Sequence, residues 1–94
     1  MRLANNNRTD DNQAEIIDAL EKAGATVISL GKIGDGCPDI LIGFRNINIL
    51  AEIKNPQTKG RLNTKQEYWH KWWRGQRAVI TTPEEGLSII GITL

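Results

Sequence analysis

Ninety-four residues and 10.5 kDa allow one small domain around a single core. At 39% hydrophobic and 24% charged, the chain reads as a folded soluble domain with no apolar run near the roughly 20 residues of a membrane span and no secretory signal at its Asn-rich start. One cysteine, Cys37, and one histidine, His70, exclude an internal disulfide and a Cys/His zinc site within one chain, and the expected setting is a reducing cytoplasm.

In chain order, residues 1–9 form a loose lead-in. Asp10 and Gln13 have the spacing of a capping box, in which each side chain satisfies an amide left free at a helix start. Ala14, Ile17, Ala19, Leu20 and Ala23 then recur at helical intervals up to Gly24, a natural stop. Residues 25–30 read as a strand through the β-branched Thr26, Val27 and Ile28. Residues 31–38 hold three glycines and a proline and form a loop. Two apolar runs, 40–43 and 47–54, flank Phe44-Arg45-Asn46 and make a hairpin. A second loop, 55–61, contains Pro56 and Gly60. Asn63 and Gln66 repeat the capping-box spacing and open a helix to about Trp73, closed by Gly75. A strand over 77–81 follows. Thr82-Pro83-Glu84-Glu85 then combines a capping hydroxyl, a proline at the first helical position and two acids against the dipole. That last helix is short, weakened by Gly86 and Gly91. Helix, three strands, helix, strand and short helix make an α/β domain with a small mixed sheet and helices on its faces.

The net charge of +1 hides an uneven distribution. Residues 1–53 carry five Lys/Arg and eight Asp/Glu, a balance of −3. Residues 54–77 carry Lys54, Lys59, Arg61, Lys65, Lys71, Arg74 and Arg77 against Glu67 alone, a balance of +6, and Glu84 and Glu85 supply the rest. Such a block suits a phosphate footprint; a solvated helix face is the plain alternative.

The hairpin carries the chemistry. A turn centred between Arg45 and Asn46 sets Ile42 opposite Ile49, Leu41 opposite Leu50 and Asp39 opposite Glu52. Side chains alternate along a strand, so Glu52 and Lys54 share a face and Asp39 joins it. Two like charges so placed repel by roughly 3 kcal/mol at ~5 Å and an effective dielectric of ~20. A hard divalent cation reverses that sign, and the Ile53 carbonyl would add another oxygen. The alternative is an edge-of-sheet salt-bridge cluster, in which one amine faces two carboxylates.

Pro38-Asp39, twelve intervening residues and then Glu52-Ile53-Lys54 resemble the PD-(D/E)xK nuclease signature. With Gly36-x-Pro38-Asp39-Ile40 before it and Arg61-Leu62-Asn63-x-Lys65-Gln66 after it, the chain is similar to the VRR-Nuc family of that superfamily over essentially the whole domain. The resemblance implies a restriction-endonuclease-like αβββαβ core, a Mg²⁺ or Mn²⁺ cofactor and the homodimers typical of the family's small phage or bacterial members. It implies that Asp39 and Glu52 ligate the metal and that Lys54 orients the attacking water. Glu15 on the first helix and Gln66 at the start of the second would complete the catalytic set, with Arg61 beside Gln66. The superfamily pattern Gln-x-x-x-Tyr is not met, because the fourth residue after Gln66 is His70.

Each supporting residue also has an ordinary use. Glu15 stands among other acids on its helix, Gln66 caps its own, and Arg61 is a loop cation. Cys37 fits packing, His70 fits a helix surface, and Gly34 and Gly36 serve either turns or close approach to metal or DNA. On the second helix, Leu62, Trp69 and Trp73 face the sheet, whereas Tyr68 and Trp72 fall on another side near Lys65 and Lys71. That other side suits a dimer interface, the preferred reading, or stacking against nucleic acid.

The expectation is a metal-dependent DNA endonuclease acting on structured DNA, with four-way junctions matched by a symmetric pair of sites. Lys59, Arg61, Lys65, Lys71 and Arg74 would bind the backbone without reading sequence. Two other functions compete: a non-catalytic nucleic-acid-binding accessory with the same fold, and a restriction-type duplex nuclease.

Overall fold

Two tight turns and a crossover arrange the chain. The computed structural model describes residues 11–92, and the Asp10 cap and the lead-in lie outside the described residues. Helix α1 (Asp11–Lys22) ends at Gly24, whose φ of +103° is a conformation that glycine adopts without strain. Strand β1 (Thr26–Ser29) follows, then the loop, then β2 (Ile40–Phe44). Arg45 and Asn46 take φ of 50° and 67°, the left-handed pair of a two-residue hairpin turn, and lead into β3 (Ile47–Ile53). The Arg45 guanidinium lies over the Phe44 ring at 4.8 Å.

A short 3-10 turn (Pro56–Thr58) and helix α2 (Thr64–Trp72) carry the chain across to β4 (Arg77–Ile80), and α3 (Pro83–Ile89) follows. The sheet runs β1-β2-β3-β4, with antiparallel pairs except for the parallel β3–β4 pair. The result is a small α/β fold with a four-stranded mixed sheet and, among the described residues, three α-helices. No helix among them is long and apolar enough to cross a membrane.

Alternation along the strands divides the sheet. Ile40, Ile42, Ile49, Ala51, Ile53 and Ile80 face the core and meet Ile16, Ile17 and Leu20 of α1. Ile16 is fully buried although the apolar spacing that marks α1 does not include it. The helix has two neighbours, the sheet and α3, and therefore buries a wider stripe than one contact face requires. Beta1 is one of the two edge strands, shorter than expected, with Ile28 58% accessible. On the other face α2 packs shallowly and contains no buried residue. Leu62, Trp69 and Trp73 are half-buried and Tyr68 and Trp72 exposed, which keeps the expected division of its faces.

Two glycines should respond oppositely to an added methyl group. Gly86 is buried inside α3, and a Cβ there would meet Ile16, Ile80 and Leu20 at 3.5–3.7 Å, ordinary contact distances. Gly86→Ala should raise stability by about 0.5–1 kcal/mol through helix propensity. Gly36 has φ +82°, and a Cβ there would come within 2.4 Å of the Lys65 carbonyl oxygen. Gly36→Ala should therefore lower stability by about 1–3 kcal/mol and loosen the loop from α2. Urea unfolding of the two variants checks both signs.

Candidate active site

Asp39 and Glu52 meet where β2 begins and β3 ends. The ladder pairs Ile40 with Ala51 and Leu41 with Leu50, so its next step sets Asp39 beside Glu52. Asp39 is held on two sides. Its carbonyl accepts from Leu30 N at 2.7 Å, and its Oδ2 accepts from Ile53 N at 2.8 Å. Pro38, fully buried, restricts the backbone just before it. Within a strand the N–H and C=O of one residue point to the same side, so the Ile53 carbonyl also leaves β3 toward Asp39.

Glu52 is 3% exposed, and its two carboxylate oxygens have different surroundings. Oε2 accepts from Gln66 Nε2 at 3.0 Å and lies 3.7 Å from Lys54 Nζ. Oε1 is buried and has no hydrogen-bond donor. The Asp39 carboxyl stands within hydrogen-bonding reach of a protonated Glu52. Burial, then the Asp39 charge, pushes Glu52 up to about 8 against the opposing pull of Lys54. A bare buried carboxylate oxygen beside a second carboxylate and a carbonyl is an all-oxygen donor set, which fits a hard divalent cation. Among the described residues no group of three or more His, Cys, Asp or Glu is placed to hold a metal, so the protein side of such a site rests on this pair.

Gln66 serves two elements at once. Its Oε1 accepts from Asn63 N at 2.9 Å and its main-chain N–H donates to Asn63 Oδ1 at 2.9 Å, completing the capping box of α2. Its remaining amide then reaches Glu52. The close approach of Gly36 to the Lys65 backbone seats the loop on this same helical turn.

The other expected residues divide. Lys54 is half-buried beside Glu52. Glu15 is exposed on α1 and does not join the carboxylate pair in a metal-holding group. Lys59, Arg61, Lys65, Lys71 and Arg74 are all exposed, and none makes an ion pair among the described residues. Cys37 lies close enough to feel Glu52 and Asp39; burial and those charges push its thiol up, which keeps it protonated and a poor nucleophile. His70 is pulled down by burial and by Arg77, and its Nε2 is buried without a partner, so it is a packed neutral ring.

Asn12 is the residue that motif reading misses. From the first turn of α1 its Nδ2 donates to Lys54 O at 2.8 Å and Thr81 O at 3.3 Å, tying the helix to the ends of two parallel strands. The only local hint is an amide side chain in a helix, where its own hydrogen bonding competes with the backbone.

The raised Glu52 carboxyl makes the metal-free protein pH-sensitive. Between 4.5 and about 8 the folded state keeps a proton that the unfolded state has lost. Stability should therefore fall as pH rises through that window, by at most about 1.4 kcal/mol per pH unit from this group. Melting of the wild type in chelator should show the decline, and Glu52→Gln, neutral at every pH, should flatten it. No protein-family model, curated protein or solved structure matches the chain.

Proposed function

We propose that the protein is a metal-dependent DNA endonuclease with a restriction-endonuclease-like fold, hydrolysing phosphodiester bonds in structured DNA. The observation that carries this reading is the bare Oε1 of buried Glu52, beside Asp39 and opposite the Lys54 ammonium. Asp39, Glu52 through Oε1, and the Ile53 carbonyl would hold Mg²⁺ or Mn²⁺. Such an ion, when bound, neutralises phosphate charge and acidifies water.

The chain's own residues do the rest. Ile53 N–H and Gln66 Nε2 fix the two carboxylates, so that neither must reorient when a phosphate arrives. Lys54 places a positive charge against the oxygens that become more negative as the phosphorus is attacked, and it offers a proton donor at the same point. Exposed Lys59, Arg61, Lys65, Lys71 and Arg74 take backbone phosphates, so binding follows charge and shape rather than base sequence. Glu15 lies outside this set. Four-way junctions, cut by a homodimer with two symmetric sites, remain the preferred substrate on the strength of the VRR-Nuc resemblance.

A second reading is a nucleic-acid-binding accessory without catalysis. The 3.7 Å contact between Lys54 and Glu52 is compatible with it as well, because a purely structural cluster would form the same ion pair.

Synthetic junctions, flaps and blunt duplexes incubated with Mg²⁺ or Mn²⁺ separate the two. The wild type should cut junctions only with metal, and Lys54→Ala and Asp39→Asn should each slow cutting by about a hundredfold or more. Mn²⁺ should also raise the melting midpoint of the wild type but not of Glu52→Gln. Binding without cutting, with a midpoint indifferent to the ion, would leave the accessory reading standing.

A further inference from the structure

The outward side of α2 combines features that the carboxylate site does not use. Tyr68 is 72% and Trp72 60% exposed, four residues apart and therefore on one face, with Lys65 three residues before Tyr68 and Lys71 three after it. At about 100° per residue, Tyr68 and Trp72 lie about 200° and 240° round the helix from Gln66, so they look away from Glu52. Trp72 does not stand alone. It leans on Trp73 with ring centroids 6.0 Å apart, and Trp73 stacks on Trp69 at 5.0 Å and 12°. The exposed ring is braced by half-buried aromatic neighbours and loses little freedom on binding.

We propose that this ridge is a stacking subsite for an unpaired stretch of single-stranded DNA, such as the open arm of a branched substrate. It rests on the nuclease reading only for the choice of DNA as the bound polymer. Duplex phosphates would satisfy the lysines but leave the aromatic faces in water, because paired bases are already stacked on one another. Unpaired bases offer flat apolar faces to Tyr68 and Trp72 while their phosphates meet Lys65 and Lys71. Charge selects this occupant over a second copy of the chain. Glu67 is the one acid on α2, and a twofold pairing of this face would press the two lysines of one copy against the two of the other. A polyanion meets the same lysines with complementary charge.

The test measures binding in chelator, so that cleavage plays no part. Fluorescence anisotropy compares oligothymidylate with an abasic oligomer of equal length, which keeps the phosphates and removes the bases. The wild type should prefer oligothymidylate by about tenfold, and Tyr68→Ala with Trp72→Ala should erase that preference while leaving abasic affinity unchanged. Trp72→Phe, which keeps a ring, should retain most of it. The altered side chains are exposed, and an unchanged melting curve confirms that the variants fold. Equal affinity of the wild type for both oligomers overturns the proposal. So does a pair of alanine variants that turn a dimer into a monomer without changing oligothymidylate affinity, which would make the ridge an interface between copies. Selective oligothymidylate binding by a protein that cuts nothing with metal would support the subsite and remove the nuclease reading.

Discussion

The site depends on a buried carboxylate that has half of the partners it needs. Gln66 and Lys54 both serve Oε2 of Glu52, while Oε1 is buried without a donor. A folded chain tolerates this in one of two ways, by keeping a proton on Glu52 or by accepting a cation from outside. Burial and the Asp39 charge favour the first by pushing the Glu52 carboxyl up to about 8. An unmet electrostatic demand at a buried carboxylate distinguishes this cluster from an ordinary surface ion pair.

The two faces of the sheet divide the work of supporting that cluster. Alpha1 and α3 bury the isoleucine-rich face and supply most of the apolar contact. Alpha2 lies on the other face with no buried residue, joined to the rest by the Gln66–Glu52 bond, the Gly36 approach and the bond from Arg77 Nε to the His70 carbonyl. Alpha2 is thus placed over the site mainly by these polar and backbone contacts, whereas the core is built by the opposite face.

Much of this was legible because it is local or follows from symmetry about a turn. The hairpin midpoint sets the register from Ile42–Ile49 through Leu41–Leu50 and so places Asp39 beside Glu52. The Asn63–Gln66 and Thr82–Pro83 caps are short-range chemistry, and both form, with Thr82 Oγ1 accepting from Glu85 N at 3.1 Å. What escaped was long-range. Ile16 looks surplus on α1 until α3 packs beside it, and the composition of β1 does not reveal that it lies at one edge of the sheet. Glu15 is exposed on α1, a placement set by how the helix is rolled against the sheet, which spacing alone does not give. Asn12 belongs to the same class, because its partners lie 42 and 69 residues away.

That tie has a bearing on biosynthesis. Asn12 gathers carbonyls from Lys54 and Thr81, so its full set of bonds cannot exist in a nascent chain until Thr81 has left the ribosome. The β2–β3 hairpin has its register within residues 40–51, and Glu52 gains its Gln66 partner only later in the chain. The hairpin register can therefore be set before the clasp on the Lys54 backbone, which waits for Thr81.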